Sequence, residues 1–213
     1  MKRASLVVLL VALLVAPLRA DDADDLYRRG DWAGAARAYE DRLARDRDAR
    51  TLLSVGNCYA RAGDLDKAAL RYEEALRLDP SRDGWRNLGR VLYRAGRFRE
   101  SAAALSRGLG DTDVGELRLY ASALALAGDG ATAVVALERA ALLDPADVRA
   151  RLDLAAAYER ARRFPESVRA WRAALALEPA SAQAWAGLGH AQASAGENDE
   201  AIIALEVAAR LGE

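Results

Sequence analysis

The chain has 213 residues, a formal net charge of −1, 52% apolar side chains and 30% charged ones. That balance excludes a disordered polyelectrolyte and fits a soluble globular or repeat protein. Alanine and arginine are abundant and proline is scarce, a composition that favours helix throughout.

In chain order, the first element is a separate object. Lys2 and Arg3 start it, Ala4 to Ala16 is uncharged and apolar, and Pro17-Leu18-Arg19-Ala20 leads into Asp21-Asp22. This is the three-part layout of a secretory signal peptide over residues 1–20, with cleavage after Ala20. The apolar run of thirteen residues is short of the roughly 20 that cross a bilayer. An uncleaved anchor is the alternative; after cleavage no stable membrane span is expected. The destination is outside the cytoplasm, in the periplasm or cell envelope of a bacterium. The only cysteine, Cys58, cannot close an internal disulfide there. Its small apolar helix face reads as the place of a buried thiol, with a reactive or intermolecular cysteine as the alternative.

From residue 28 the sequence repeats itself. Segments such as 28-RRGDWAGAARAYEDRL-43 and 61-RAGDLDKAALRYEEAL-76 recur from residues 94, 126, 160 and 194, at spacings of 33, 33, 32, 34 and 34. A period near 34 without strand-like alternation predicts stacked helical hairpins. Each segment opens on a turn, with Gly30, Gly63, Gly96, Gly128 and Gly196 in five and Arg162 in the remaining one. Glycine there predicts a left-handed helix cap. Three second helices are followed by Pro80, Pro145 and Pro179, which cannot continue a helix.

The spacing of large and small residues resembles the tetratricopeptide repeat, whose mark is W-x2-L-G-x2-Y, then A-x3-F, then P. Trp85, Leu88, Gly89 and Leu92, followed by Ser101 and Leu105, fit it. So do Leu52, Val55, Gly56 and Tyr59 with Ala68, Tyr72, Ala75 and Pro80. The later repeats give Leu117, Tyr120, Ala121 and Leu124; Leu154, Ala155 and Tyr158; and Trp185, Leu188 and Gly189. Ala23, Leu26, Ala35 and Tyr39 are what the first unit keeps. The resemblance implies an all-α, right-handed superhelical solenoid of stacked antiparallel hairpins, five full units plus one degraded N-terminal unit. The expected units are 21–47, 48–81, 82–113, 114–147, 148–181 and 182–213. Independently, small residues such as Gly56, Gly89, Gly189, Ala121 and Ala155 facing large ones predict close helix approach.

The resemblance also implies that the first helix of each hairpin lines a concave groove. Residues 49–62, 82–95, 114–127, 148–161 and 182–195 together carry +6, which leaves −10 for the rest of the chain from Asp21 on. A basic inner wall and an acidic outer wall are therefore expected. The side chains expected to line the groove are Arg50, Asn57, Arg61, Arg86, Asn87, Arg90, Arg94, Arg118, Arg149 and Arg160. Arginine forks onto carboxylates and asparagine bonds peptide backbone. Asn57 and Asn87 fall where similar repeats hold a partner's C-terminal carboxylate, but the lysines of those repeats are absent and their specificity is not carried over. The expected partner is a protein offering an acidic or C-terminal peptide. Arg82, Arg86, Arg90 and Arg94, each four residues after the last and so in one stripe of a helix, could instead be a solvated surface.

The last segment, 200-EAIIALEVAARLGE-213, offers Ile202, Ile203, Leu205, Val207 and Leu211 as an association patch, through which a homodimer could form. Chemistry is poorly represented. The lone His190 has no ligand at metal spacing and reads as a groove-facing hydrogen-bonding residue. No phosphate-binding glycine loop appears. A net-negative exported chain without interleaved aromatics does not read as a nucleic-acid binder. No enzyme activity, metal or cofactor is expected. The expected role is an adaptor or assembly factor, with a self-associating structural scaffold as the alternative.

Overall fold

The computed structural model describes residues 20–110 and 113–212, with side chains from Ala23 onward. The signal peptide read over residues 1–20 lies outside the described residues except for Ala20. Twelve α-helices and no strand occur among the described residues. They are α1 (Ala20–Arg28), α2 (Trp32–Leu43), α3 (Ala49–Ala62), α4 (Leu65–Leu78), α5 (Arg82–Arg94) and α6 (Phe98–Gly108). Then follow α7 (Val114–Ala127), α8 (Gly130–Leu143), α9 (Val148–Arg160), α10 (Phe164–Leu177), α11 (Ala182–Ala195) and α12 (Asn198–Gly212). The chain divides into two compact units, one up to Asn87 and one from Leu88, with the division inside α5.

Helix ends are written locally. Asp31, Asp48, Asp64, Asp113, Asp129, Asp147 and Ser181 each accept a bond from the amide three residues on. An N-cap of this kind satisfies one of the helix's unpaired donors. Between the helices of a hairpin the turn is equally regular. Gly63 N–H donates to Ala60 and Asp64 N–H to Tyr59, and the same pair of bonds closes the turns at Gly30, Gly96, Gly128, Arg162 and Gly196. This double closure is the Schellman motif, which needs a left-handed residue at its centre. The five glycines have φ between 75° and 93°, and Arg162 adopts φ 58°. The expectation of left-handed glycine caps is met, and Arg162 takes the same conformation.

In the first unit the ring of Tyr72 lies on Gly56, where a Cβ would meet it at 2.6 Å. In the second, Leu105 lies on Gly89, Trp171 on Gly187 and Leu205 on Gly189 in the same way, at 2.5, 2.4 and 2.7 Å. Buried serines add a polar clasp that the sequence reading did not single out. Ser101 Oγ donates to the Gly89 carbonyl at 2.8 Å and Ser167 Oγ to that of Ala155 at 2.9 Å. Both serines are fully buried, so the loss of either bond would leave a desolvated oxygen.

Candidate functional site

The ten expected groove residues all sit on first helices, but they do not do one job. In the unit up to Asn87, Arg50 is exposed at the start of α3. Arg61, exposed at its end, holds its guanidinium 5.8 Å over the ring of Trp32, within cation–π range. Asn57 is half-buried, and its Oδ1 accepts a 2.6 Å bond from Tyr72. Its amide nitrogen is thereby presented as the donor end. Arg86 and Asn87 are half-buried on α5, with Arg86 3.8 Å from Asp83.

In the unit from Leu88, two cations are tied into rungs between consecutive first helices. Arg90 on α5 pairs with Glu116 on α7, whose side chain is only 3% exposed. Arg118 on α7 donates from Nε to Asp153 on α9 at 2.6 Å. Glu116 and Asp153 were not singled out from the sequence. Their signal is a carboxylate on the next first helix, 26 residues on from Arg90 and 35 on from Arg118. Arg94, Arg149 and Arg160 are exposed. Arg149 and Arg160 have no carboxylate partner among the described residues.

The second helices carry their own polar links. Glu40 accepts from Arg71 Nε at 3.0 Å and from Tyr59 at 3.3 Å, while Arg71 also reaches Glu74 at 2.9 Å. Tyr158 donates to Glu138 at 2.7 Å, and burial with that bond pushes its pKa up to about 12. Burial pushes the Cys58 thiol up to about 11, and its side chain is fully enclosed. This is the buried-thiol reading of the sequence.

Within the association patch Ile202 and Ile203 are 57% and 61% exposed and Leu211 is exposed. Val207 is half-buried, and Leu205 leans on Gly189 as part of its own hairpin. Ile203 borders an open cavity of about 330 Å³ with Leu175, Trp185, Leu188 and Gln192. The Gln192 side chain is 3% exposed, and its Oε1 is buried without a hydrogen bond. A second cavity, about 400 Å³, is walled by residues of α7, α8 and α9, Arg160 among them. His190 is exposed. No cluster of metal-ligating side chains occurs among the described residues, and no helix among them is long and apolar enough to cross a membrane.

A family profile described as Tetratricopeptide repeat matches residues 21–83, 56–116 and 152–213, together more than half of the chain. Comparison with curated proteins finds no match. Among solved structures, a crystal structure of MamA is similar over 76% of this chain and 91% of its own, with a TM-score of 0.72 and 22% identity. YrrB, described as a TPR protein with an unusual peptide-binding site, is similar over 83% of this chain and 93% of its own, with a TM-score of 0.73 and 20% identity. At such identities the likeness is one of fold.

Proposed function

Because the chain belongs to the tetratricopeptide repeat family, and is thus built as a protein–protein interaction module, we propose that its first helices hold an acidic or C-terminal peptide of a partner protein. The observation that carries this is, within each unit taken by itself, an exposed guanidinium on a first helix that no carboxylate among the described residues neutralises: Arg50 in the unit up to Asn87, and Arg149 and Arg160 in the unit from Leu88. A planar guanidinium offers a carboxylate two parallel bonds. The amide N–H of Asn57, whose Oδ1 is already held by Tyr72, suits a peptide carbonyl. Acting without catalysis, the module serves as an adaptor or assembly factor, exported to the periplasm or cell envelope by its first 20 residues.

The test is capture of partners from an envelope fraction by the protein and by an Arg50→Glu/Arg149→Glu variant, with acidic peptides as competitors. Capture should be lost in the variant at unchanged helicity and should weaken with salt. Unchanged capture refutes the reading. Export is checked by the mass of the chain recovered from the periplasm, which should begin at Asp21; a chain retaining Met1 in the cytoplasm refutes it.

The exposure of Ile202, Ile203 and Leu211 on α12 favours a second reading, self-association of this end as a scaffold. Sedimentation at rising concentration should show a dimer that Ile203→Ser abolishes. A monomer throughout refutes it.

A further inference from the structure

The cavity of about 400 Å³ in the unit from Leu88 is walled by Ala125, Gly128, Gly130, Ala133, Ala157 and Arg160. The same place in the first hairpin is filled. There Trp32, the first residue of α2, stands edge-on to Tyr27 with ring centroids 4.9 Å apart. Arg61, from the next first helix, lies 5.8 Å over the indole.

Aligning the two hairpins on their turn glycines, Gly30 and Gly128, puts Ala125 in the place of Tyr27 and Gly130 in the place of Trp32. Aligning the helices that follow on their own turn residues, Gly63 and Arg162, puts Ala157 and Arg160 in the places of Cys58 and Arg61. Both aromatics are missing and the cation is kept. The α5–α6 hairpin retains an aromatic pair at these two places, Tyr93 and Phe98, 5.5 Å apart. The cavity is thus the space of an absent aromatic, with its cation left at the rim.

Atoms lining such a space lack van der Waals neighbours, and a guest of the right shape restores them. A volume of about 400 Å³ lies within the range of ligand pockets, about 300–1,000 Å³. We propose that this pocket takes an indole-sized aromatic side chain of a partner polypeptide, seated under Arg160 as Trp32 is seated under Arg61. The polypeptide source of that ring rests on the protein-binding reading above; the pocket's preference for an aromatic does not.

The experiment uses the protein with ¹³C-methyl alanine and two probes, N-acetyl-tryptophanamide and a short peptide with a central tryptophan. The methyl signals of Ala125, Ala131, Ala133, Ala157 and Ala161 should move with both, and N-acetyl-leucinamide should leave them still. Arg160→Ala should weaken binding about two- to fivefold, as loss of an exposed cation–π contact does. Gly130→Trp should fill the site and abolish the shifts, since a Cβ at Gly130 meets nothing within 4 Å. If that variant does not fold, Gly130→Leu carries the same expectation, because Leu65 stands at this place in the α3–α4 hairpin.

Still methyls with both probes, or shifts that persist in the Gly130 variant, overturn the proposal. Tighter binding of the free amide than of the peptide overturns the polypeptide source. Because Arg50 and Arg149 do not line this pocket, failure of the acidic-peptide reading and failure of this one are read separately.

Discussion

Gly89 gives the sharpest test of how the hairpins are held. A Cβ added there would lie 2.5 Å from Leu105 Cγ, 2.7 Å from its Cδ2 and 3.2 Å from its backbone nitrogen. The side-chain clashes could be relieved by turning Leu105, but Leu105 is fully buried and has nowhere to turn. The backbone contact is relieved only by moving α6 away from α5, which also stretches the Ser101–Gly89 bond. Overpacking of this kind costs about 1–3 kcal/mol, and alanine in place of glycine in a helix returns about 1 kcal/mol. Gly89→Ala should therefore destabilise by about 1 kcal/mol net, and Gly89→Leu by more. Gly115→Ala is the matched control: its Cβ meets only Asp113 Oδ1, at 3.4 Å. Near a helix start it should stabilise by at most about 0.5 kcal/mol. Urea unfolding followed by circular dichroism gives both midpoints, with unchanged slope if the unfolded state is unaffected. Gly89→Ala as stable as Gly115→Ala would refute the close-packing argument.

Three further outcomes follow from particular groups. Arg162→Gly should stabilise by about 0.5–1 kcal/mol, because a left-handed arginine costs about 1–2 kcal/mol and glycine loses part of that gain to unfolded-chain freedom; calorimetry reads the change. Tyr158 ionises near 10 when unfolded and near about 12 when folded. The stability it contributes is thus whole below pH 10 and lost as pH rises to about 12. Tyr158→Phe should flatten that decline in denaturation midpoints measured across the window. Cys58, enclosed and with its thiol pushed up to about 11, should not react with a thiol reagent at neutral pH until denaturant is added; rapid reaction of the native protein would contradict its burial.

The hairpins were legible in the sequence because turn, cap and small–large pattern are each local, and they recur at one period. Arg162 could be placed at a turn because five glycines mark that place in the other repeats, while its left-handed backbone came from the structure. The arginine stripe was legible as a stripe, but its use was not. Whether an arginine meets a carboxylate one repeat away depends on how consecutive first helices are offset, and that ties up Arg90 and Arg118 while leaving Arg149 and Arg160 exposed. The pocket beside Arg160 was hidden for a related reason. A motif scan records the residues that fit, whereas Ala125 and Gly130 matter for the bulk they lack. Gln192 is a similar case: Tyr59, Leu92, Leu124 and Tyr158 occupy its place in other repeats, and only burial reveals the unmet amide oxygen.

The Schellman turns have a kinetic consequence. Each is closed by bonds spanning five residues or fewer, and within a unit a hairpin then meets the helix that follows it in the chain. Pairings are short in sequence, so little loop-closure entropy stands before the first rewarding contact. Assembly can begin at any hairpin and spread to either side. A lesion in one turn should then slow the zippering of its own neighbourhood and leave the other starting points at their original speed.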